Sequence, residues 1–348
     1  MPSRFIFRSR KTAVGAIAAL ALAVLYLLFG APGYAGGNRA VVDFNYAQSA
    51  SPDLVYLADE LGYFRNTHAR PHYVTPVSAT QIVPLVSTGD LDFGTRMMPL
   101  VISALAAGAD IKVIAQDGQA SRDQPHMSYF VERGSNIRSP KDFEGKTVAL
   151  GDDGSCAELV TRLYLRRHGV DPDKVNWVTI ADDQSVAAVA RRNVDVAITH
   201  PPYSNAAASD SRVRLLWTDW DLDRGRGSTG AYIVNGTFLR SHPLAVSDFV
   251  GAIAKAGLWA AAHPEQAQRW AAERLGVDIE TVELDAYSPT LAVEDAPIQY
   301  YIDALEQEGR IPPGKIRVSD VYTNAYNPLL QNSAANASAA NLDTAHHG

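Results

Sequence analysis

The sequence predicts an α/β protein of two similar lobes, joined by two crossover strands, with a ligand cleft between them. Three observations carry that prediction. First, a short pattern occurs twice, as Leu91-Asp92-Phe93-Gly94-Thr95-Arg96-Met97-Met98-Pro99 and as Val194-Asp195-Val196-Ala197-Ile198-Thr199-His200-Pro201-Pro202. Both copies read apolar-Asp-apolar-small, follow a helical stretch and reach a proline seven residues after the Asp. Pro99 and Pro202 suit the first turn of a helix, where a missing N–H costs nothing. Second, strand-like and helical runs alternate on both sides of the chain's middle, the signature of largely parallel sheets. Third, Tyr129-Phe130-Val131 and Tyr232-Ile233-Val234 read as strands that leave one lobe and return to it.

Taken in order, Val41 to Tyr46 is a first strand, and Ala47-Gln48-Ser49-Ala50 a loop into Ser51-Pro52. Serine before proline predicts an N-cap at Ser51 and a helix running to Leu61 and Gly62. Tyr73-Val74 is a second strand, and Ser78 or Thr80 opens a helix ending near Thr88-Gly89. The first copy then supplies a strand and a helix from Pro99 to Ala107, followed by a strand over 111–115. After the crossover, strands over 146–150 and 175–180 flank a helix from Cys156 to Arg167, and a helix over 185–192 precedes the second copy. Val213 to Trp217 is a strand. Asp219, Asp221 and Asp223 read as a solvated loop, and Gly227-Ser228-Thr229-Gly230 as a hinge, because small residues accept large backbone changes. Residues 246–309 read as helical until Pro312-Pro313. The expected division is a signal peptide at 1–35, lobe 1 at 38–128 and 232–330, lobe 2 at 129–231, and a disordered Asn/Ala/Ser tail at 331–348.

Composition bounds the function. The 348 residues are 47% hydrophobic and 20% charged, ordinary for a globular core, with a net charge of −7. Arg4, Arg8, Arg10 and Lys11 precede an uninterrupted apolar run from Ala13 to Phe29, and Gly33-Tyr34-Ala35 offers a cleavage site. An uncleaved anchor that tethers a membrane-bound sensor module is the other reading of that run. Cleavage would take the charge to about −11. No basic block follows, so no nucleic-acid partner is expected. No second long apolar segment is read. The single cysteine, Cys156, allows no internal disulfide, and metal-like ligand spacing is missing, so neither metal nor cofactor is expected.

Three loop-to-helix junctions carry candidate binding chemistry: Gln48 to Pro52, Thr95 to Pro99, and Gly154 to Cys156. Free N–H groups and the positive helix end favour a bound anion at each. Ser49, Ser51, Thr95 and Ser155 add hydroxyls. Arg96 can grip two oxygens of an acid, or else point to solvent or pair with a carboxylate. Met97 and Met98 read either as packing or as an adaptable pocket wall. Cys156 reads as a buried filler or a nucleophile. Tyr46 and Tyr203 lie beside the junction loops, whereas Trp217, Trp220 and Tyr232 read as core. His200-Pro201-Pro202 faces them from the second copy. A Ser155/His200 or Cys156/His200 pair is conceivable, but no Gly-x-Ser-x-Gly elbow and no third orienting residue can be picked out. His200 is therefore read as shaping the cleft or hydrogen-bonding a ligand, and the chain as no enzyme.

The stretches Leu61-Gly62-Tyr63-Phe64, Thr88-Gly89-Asp90-Leu91-Asp92-Phe93-Gly94, Gly145-Lys146-Thr147-Val148-Ala149, Asn193-Val194-Asp195-Val196-Ala197 and Pro202-Tyr203 together resemble the sulfonate/taurine/nitrate-type periplasmic solute-binding proteins of ABC importers. The resemblance covers residues 41–330. It implies a type II periplasmic binding protein fold with two Rossmann-like lobes, a small anionic ligand, an inner-membrane permease as partner, a periplasmic location and a monomer. It places ligand contacts at Gln48 to Ser51, Arg96 to Met98, Gly154 to Cys156 and His200 to Pro202. Arg96-Met97-Met98 replaces small polar residues of many relatives, and His200 a common Trp. This points to a sulfonate with an apolar or aromatic body, taurine-like, rather than bare nitrate. A related enzyme branch makes the thiamine pyrimidine with a cysteine-rich motif that one cysteine cannot match.

Overall fold

The computed structural model describes residues 40–47, 53–227, 229–282 and 287–331. The leader at 1–35, the candidates Gln48, Ser49 and Ser51, the hinge residue Ser228 and the tail beyond Gln331 lie outside the described residues. In chain order the elements are β1 (Val42–Ala47), α1 (Leu54–Glu60), β2 (Ala69–Val74), α2 (Ile82–Thr88), β3 (Phe93–Met97), α3 (Met98–Ala106) and β4 (Ile111–Gln119). Next come β5 (Ser128–Glu132), β6 (Thr147–Leu150), α4 (Cys156–Arg167), β7 (Asn176–Thr179), α5 (Asp182–Ala190), β8 (Val196–Thr199), α6 (Tyr203–Ala208), β9 (Val213–Thr218) and α7 (Asp219–Asp223). The chain then runs through β10 (Thr229–Asn235), α8 (Gly236–Ser241), α9 (Pro243–Ala262), α10 (Pro264–Leu275), α11 (Asp295–Gln307) and α12 (Val318–Val321).

The strands pair as β1-β2, as β3-β10-β4 and as β7-β6-β8-β5-β9. The largely parallel arrangement expected holds within each sheet for every strand except the two crossovers. Parallel pairing holds for β1 with β2 and for β6 with β7 and β8. Each crossover strand, however, enters the middle of a sheet antiparallel to its neighbours, β5 between β8 and β9, β10 between β3 and β4. A strand that arrives from the opposite end of the molecule can only pair this way.

The doubled pattern has a physical cause. Asp92 N–H donates to Asn45 O at 3.0 Å while Asn45 N–H donates to Asp92 Oδ2 at 2.7 Å. Asp195 N–H donates to Thr147 O at 2.9 Å while Thr147 N–H donates to Asp195 Oδ2 at 2.9 Å. Each Asp thus supplies a side-chain acceptor to the neighbouring strand, where the ladder would otherwise leave an N–H unpaired. The next residue, Phe93 or Val196, is fully buried. The small residue after it is required at Gly94, where a Cβ would sit 2.6 Å from Ile82 Cγ2.

Helix starts differ from the sequence reading in three places. Helix α1 is capped by Asp53, not Ser51: Asp53 Oδ1 accepts from Val55 N at 3.0 Å and Tyr56 N at 3.2 Å. Helix α5 starts at Asp182, three residues before Ser185, whose hydroxyl bonds back to Asp182 O at 3.0 Å. Residues 219–223 form a short helix rather than a solvated loop; Asp219 is 0% exposed, and Asp223 Oδ2 accepts from Tyr300 OH at 2.7 Å and Gly227 N at 3.0 Å. The expected hinge glycines sit at close contacts. A Cβ on Gly227 would lie 2.2 Å from Val160 Cγ2, and one on Gly230 2.9 Å from Asp117 Cβ.

Helix α9 is a second apolar segment that the sequence reading passed over. It is long and apolar enough to span a membrane, yet 61% of its apolar 18-residue window is buried inside the fold. Its Phe249 stacks on Phe93 at 3.9 Å, and Phe44 meets both rings edge-on. This aromatic cluster ties α9 beneath β1 and β3, the strands that lead into the site.

Candidate functional site

Side chains from both copies of the pattern meet in one cavity of about 520 Å³. Tyr46, Thr95, Arg96, Met97, His200, Pro201 and Tyr203, all singled out from sequence, line it. The sequence reading missed Asp53, Asp117, His126 and Tyr287, which line it too. Met98 does not. It is 1% exposed and packs in the core, because it is the first residue of α3 and turns inward.

Tyr46 is the last-but-one residue of β1, and its hydroxyl sits between two partners. It donates to Asp53 Oδ2 at 2.7 Å and lies 2.8 Å from Thr95 Oγ1. Burial raises the Asp53 carboxyl from 3.8 to about 6, although Tyr46 and the two α1 N–H groups pull it down. Burial likewise holds the Tyr46 phenol well above its ordinary value. This network fixes the end of β1 against β3 and the start of α1.

Arg96 is not free to grip an acid unaided. Its Nη2 donates to Asp152 Oδ2 at 2.8 Å, and its side chain is 14% exposed. The Arg96 Nε is buried with no hydrogen-bond partner among the described residues.

The Gly154 to Cys156 junction is arranged differently from the open anion site expected there. None of the three residues lines the cavity. The Gly154 N–H is taken by Glu158 Oε2 at 2.9 Å, so it is not offered to a ligand. Ser155 is the N-cap position of α4 and 6% exposed, with its hydroxyl unpaired among the described residues. Cys156 is 1% exposed and sits 3.7 Å from His126 Nε2. Behind the cavity wall, His200 Nδ1 lies 2.7 Å from Asp182 Oδ2, and the His200 N–H also donates to that oxygen at 3.3 Å. Asp182 is the orienting residue that sequence could not pick out. Burial pulls His200 down, but its bonds to Asp182 and Cys156 more than offset this and raise it to about 10. Burial first, and the His200 charge second, push His126 down to about 3. His126, Cys156 and His200 bring their donor atoms within 4.8 Å of one another, against the expectation that metal-ligand groupings are missing. His126 and Cys156 stand 30 residues apart, so no sequence spacing could have shown it.

Comparison with known proteins gives four findings. The family described as NMT1/THI5 like matches residues 53–267. The 4-amino-5-hydroxymethyl-2-methylpyrimidine phosphate synthase of Candida albicans (strain WO-1) is 25% identical over 247 residues, covering 67% of this chain and 70% of that one. The periplasmic aliphatic sulphonate binding protein SsuA from Escherichia coli superposes with a TM-score of 0.66 at 20% identity, covering 82% of this chain and 92% of its own. The periplasmic nitrate-binding protein NrtA from Synechocystis PCC 6803 gives 0.66 at 14%, covering 85% and 89%. These likenesses establish the type II periplasmic binding protein fold.

Proposed function

Because the chain belongs to the NMT1/THI5-like family, we propose that it is the periplasmic solute-binding component of an ABC importer. In this reading, lobe 1 (38–128 and 232–330) and lobe 2 (129–231) close on a small organic acid and hand it to an inner-membrane permease. The observation that supports it most is the convergence of both pattern copies on one cavity of about 520 Å³. That volume suits a small ligand.

The charges refine the ligand class. Arg96 is matched by Asp152 and His200 by Asp182, while Asp53 and Asp117 add acid to the same wall. A bare anion would meet Arg96 and His200 already paired with carboxylates. An acid that also carries an amine, an aminosulfonate such as taurine, meets Arg96 with one end and the carboxylates with the other. Met97, Tyr203 and Tyr287 supply apolar wall for its body. Binding without chemistry is favoured because Ser155 and Cys156, the two candidate nucleophiles, are absent from the wall. The orientation of His200 by Asp182, together with the synthase relatives, supports a second reading as an enzyme on a small carboxylate.

Differential scanning fluorimetry against taurine, alkanesulfonates, nitrate, carboxylates and thiamine-pyrimidine precursors tests the reading. A true ligand at a hundredfold excess over its Kd stabilises by about 2.7 kcal/mol, roughly 4 °C for a chain of this size. Taurine-like acids should give that shift. Stabilisation by none of these, or only by neutral or cationic compounds, overturns the acid assignment. Turnover of a bound compound that disappears in His200→Ala overturns the binding reading in favour of the enzyme.

A further inference from the structure

We propose that His126, Cys156 and His200 form a transition-metal site at the edge of the cavity. The three side chains come from separate parts of the chain: the segment before β5, the first residue of α4, and the loop after β8. Their donor atoms all lie within 4.8 Å of one another. Cys156 Sγ is 3.7 Å from His126 Nε2. A tetrahedral ion about 2.3 Å from sulfur and about 2.0 Å from nitrogen sets that separation at roughly 3.5 Å. That pair therefore needs an adjustment of tenths of an ångström to close around an ion, and the widest pair of the trio, at up to 4.8 Å, one of about an ångström or more. The two imidazoles are tilted at 60° with centroids 4.7 Å apart, so they converge without stacking.

The outer shell supports the same assignment. Asp182 Oδ2 holds His200 Nδ1 at 2.7 Å, which leaves Nε2 for the ion. A carboxylate behind a ligating histidine fixes the ring and its tautomer. One thiolate and two imidazoles select zinc or copper over magnesium or calcium. Among the described residues, no fourth His, Cys, Asp or Glu joins the cluster. Three protein ligands are the pattern of an open site that keeps one position for water or a solute. His126 and His200 both line the cavity, so that position faces the solute space. The proposal stands on these donors and not on the solute reading, and metal uptake is measured without any solute.

The test uses the full chain, stripped with a chelator and titrated with Co²⁺ and then Zn²⁺. The expected result is one equivalent bound, with a thiolate-to-cobalt charge-transfer band. Cys156→Ser should abolish the band. His126→Gln should weaken Zn²⁺ by at least tenfold, and Asp182→Asn by roughly ten- to a hundredfold. His126 is only partly buried, so its variant remains informative if replacement of Cys156 prevents folding. A wild-type Co²⁺ complex without the thiolate band overturns the site. So does metal uptake that is unchanged in both His126→Gln and Cys156→Ser, as binding at the tail pair His346-His347 would give.

Discussion

Replacing Asp53 by Asn isolates the cost of a buried charge beside the cavity. Asp53 does two jobs: Oδ1 caps α1 through Val55 and Tyr56, and Oδ2 accepts from Tyr46. An Asn in its place keeps an acceptor for the cap, removes the charge and puts an NH2 donor where Oδ2 accepted, so the Tyr46 hydroxyl turns to Thr95 Oγ1, a change that does not vary with pH. The carboxyl is raised from 3.8 to about 6 by burial, outweighing the hydrogen bonds that lower it. The folded state therefore holds its proton over a range where the unfolded chain has released it. Well below pH 3.8 both states are protonated and the charge costs nothing. As pH rises through the window from about 4 to 6, the unfolded chain ionises first, and stability is lost. Above it the penalty is constant. A shift of this size corresponds to about 3 kcal/mol. For a chain of this size it is worth about 5 °C in melting temperature. Thermal melts of both proteins at pH 4 and pH 8 read it directly. The advantage of Asp53→Asn over wild type should grow by about that amount between the two pH values. A difference that is flat with pH, or wild type gaining on the variant as pH rises, refutes the reasoning and shows the cap bonds dominating burial.

Two further changes test other parts of the structure. Asp152→Asn releases Arg96 from its partner. A charge-assisted hydrogen bond is worth about 1.5–3 kcal/mol, so calorimetry with an acidic ligand should show roughly 10- to 150-fold tighter binding; weaker binding would make the pair a clasp that holds the cavity together. Asp92→Ala and Asp195→Ala each strand a backbone N–H, on Asn45 and Thr147, at a cost of about 1–3 kcal/mol in melts. Asp195, whose side chain is 40% exposed, belongs at the lower end because water can replace it; no loss in either variant would refute the bridging role of the doubled Asp.

The doubled pattern was legible because its chemistry is local in kind. An Asp that supplies an acceptor, a buried apolar residue and a small one recur wherever the same strand geometry recurs. Cavity residues at the strand ends, such as Thr95, Arg96 and His200, could be chosen on that ground alone. The cap of α1 was misplaced by two residues because Ser51 and Asp53 are both good caps; the bond from Tyr46 to Asp53, seven residues back, accompanies the one that is used. What sequence could not supply were partners. Asp152 opposite Arg96 lies 56 residues away, and Asp182 behind His200 lies 18 away across a helix. Those partners pair with Arg96 and His200, so neither stands alone toward the cavity as the sequence suggested. The same limit hid His126 beside Cys156. A junction rich in glycine and serine suggested an open anion site at Gly154 to Cys156, yet Glu158, one helical turn on, occupies its first N–H.

The central claim is that two distant copies of one pattern form a single solute trap. Isothermal titration calorimetry of the full chain with taurine and the other small acids of the screen, repeated for Arg96→Ala and His200→Ala, tests it most directly. One site per chain is predicted, with affinity lost in both variants, since each copy contributes one of the two residues. Binding that is indifferent to either variant, or no saturable heat with any of the acids, would contradict it.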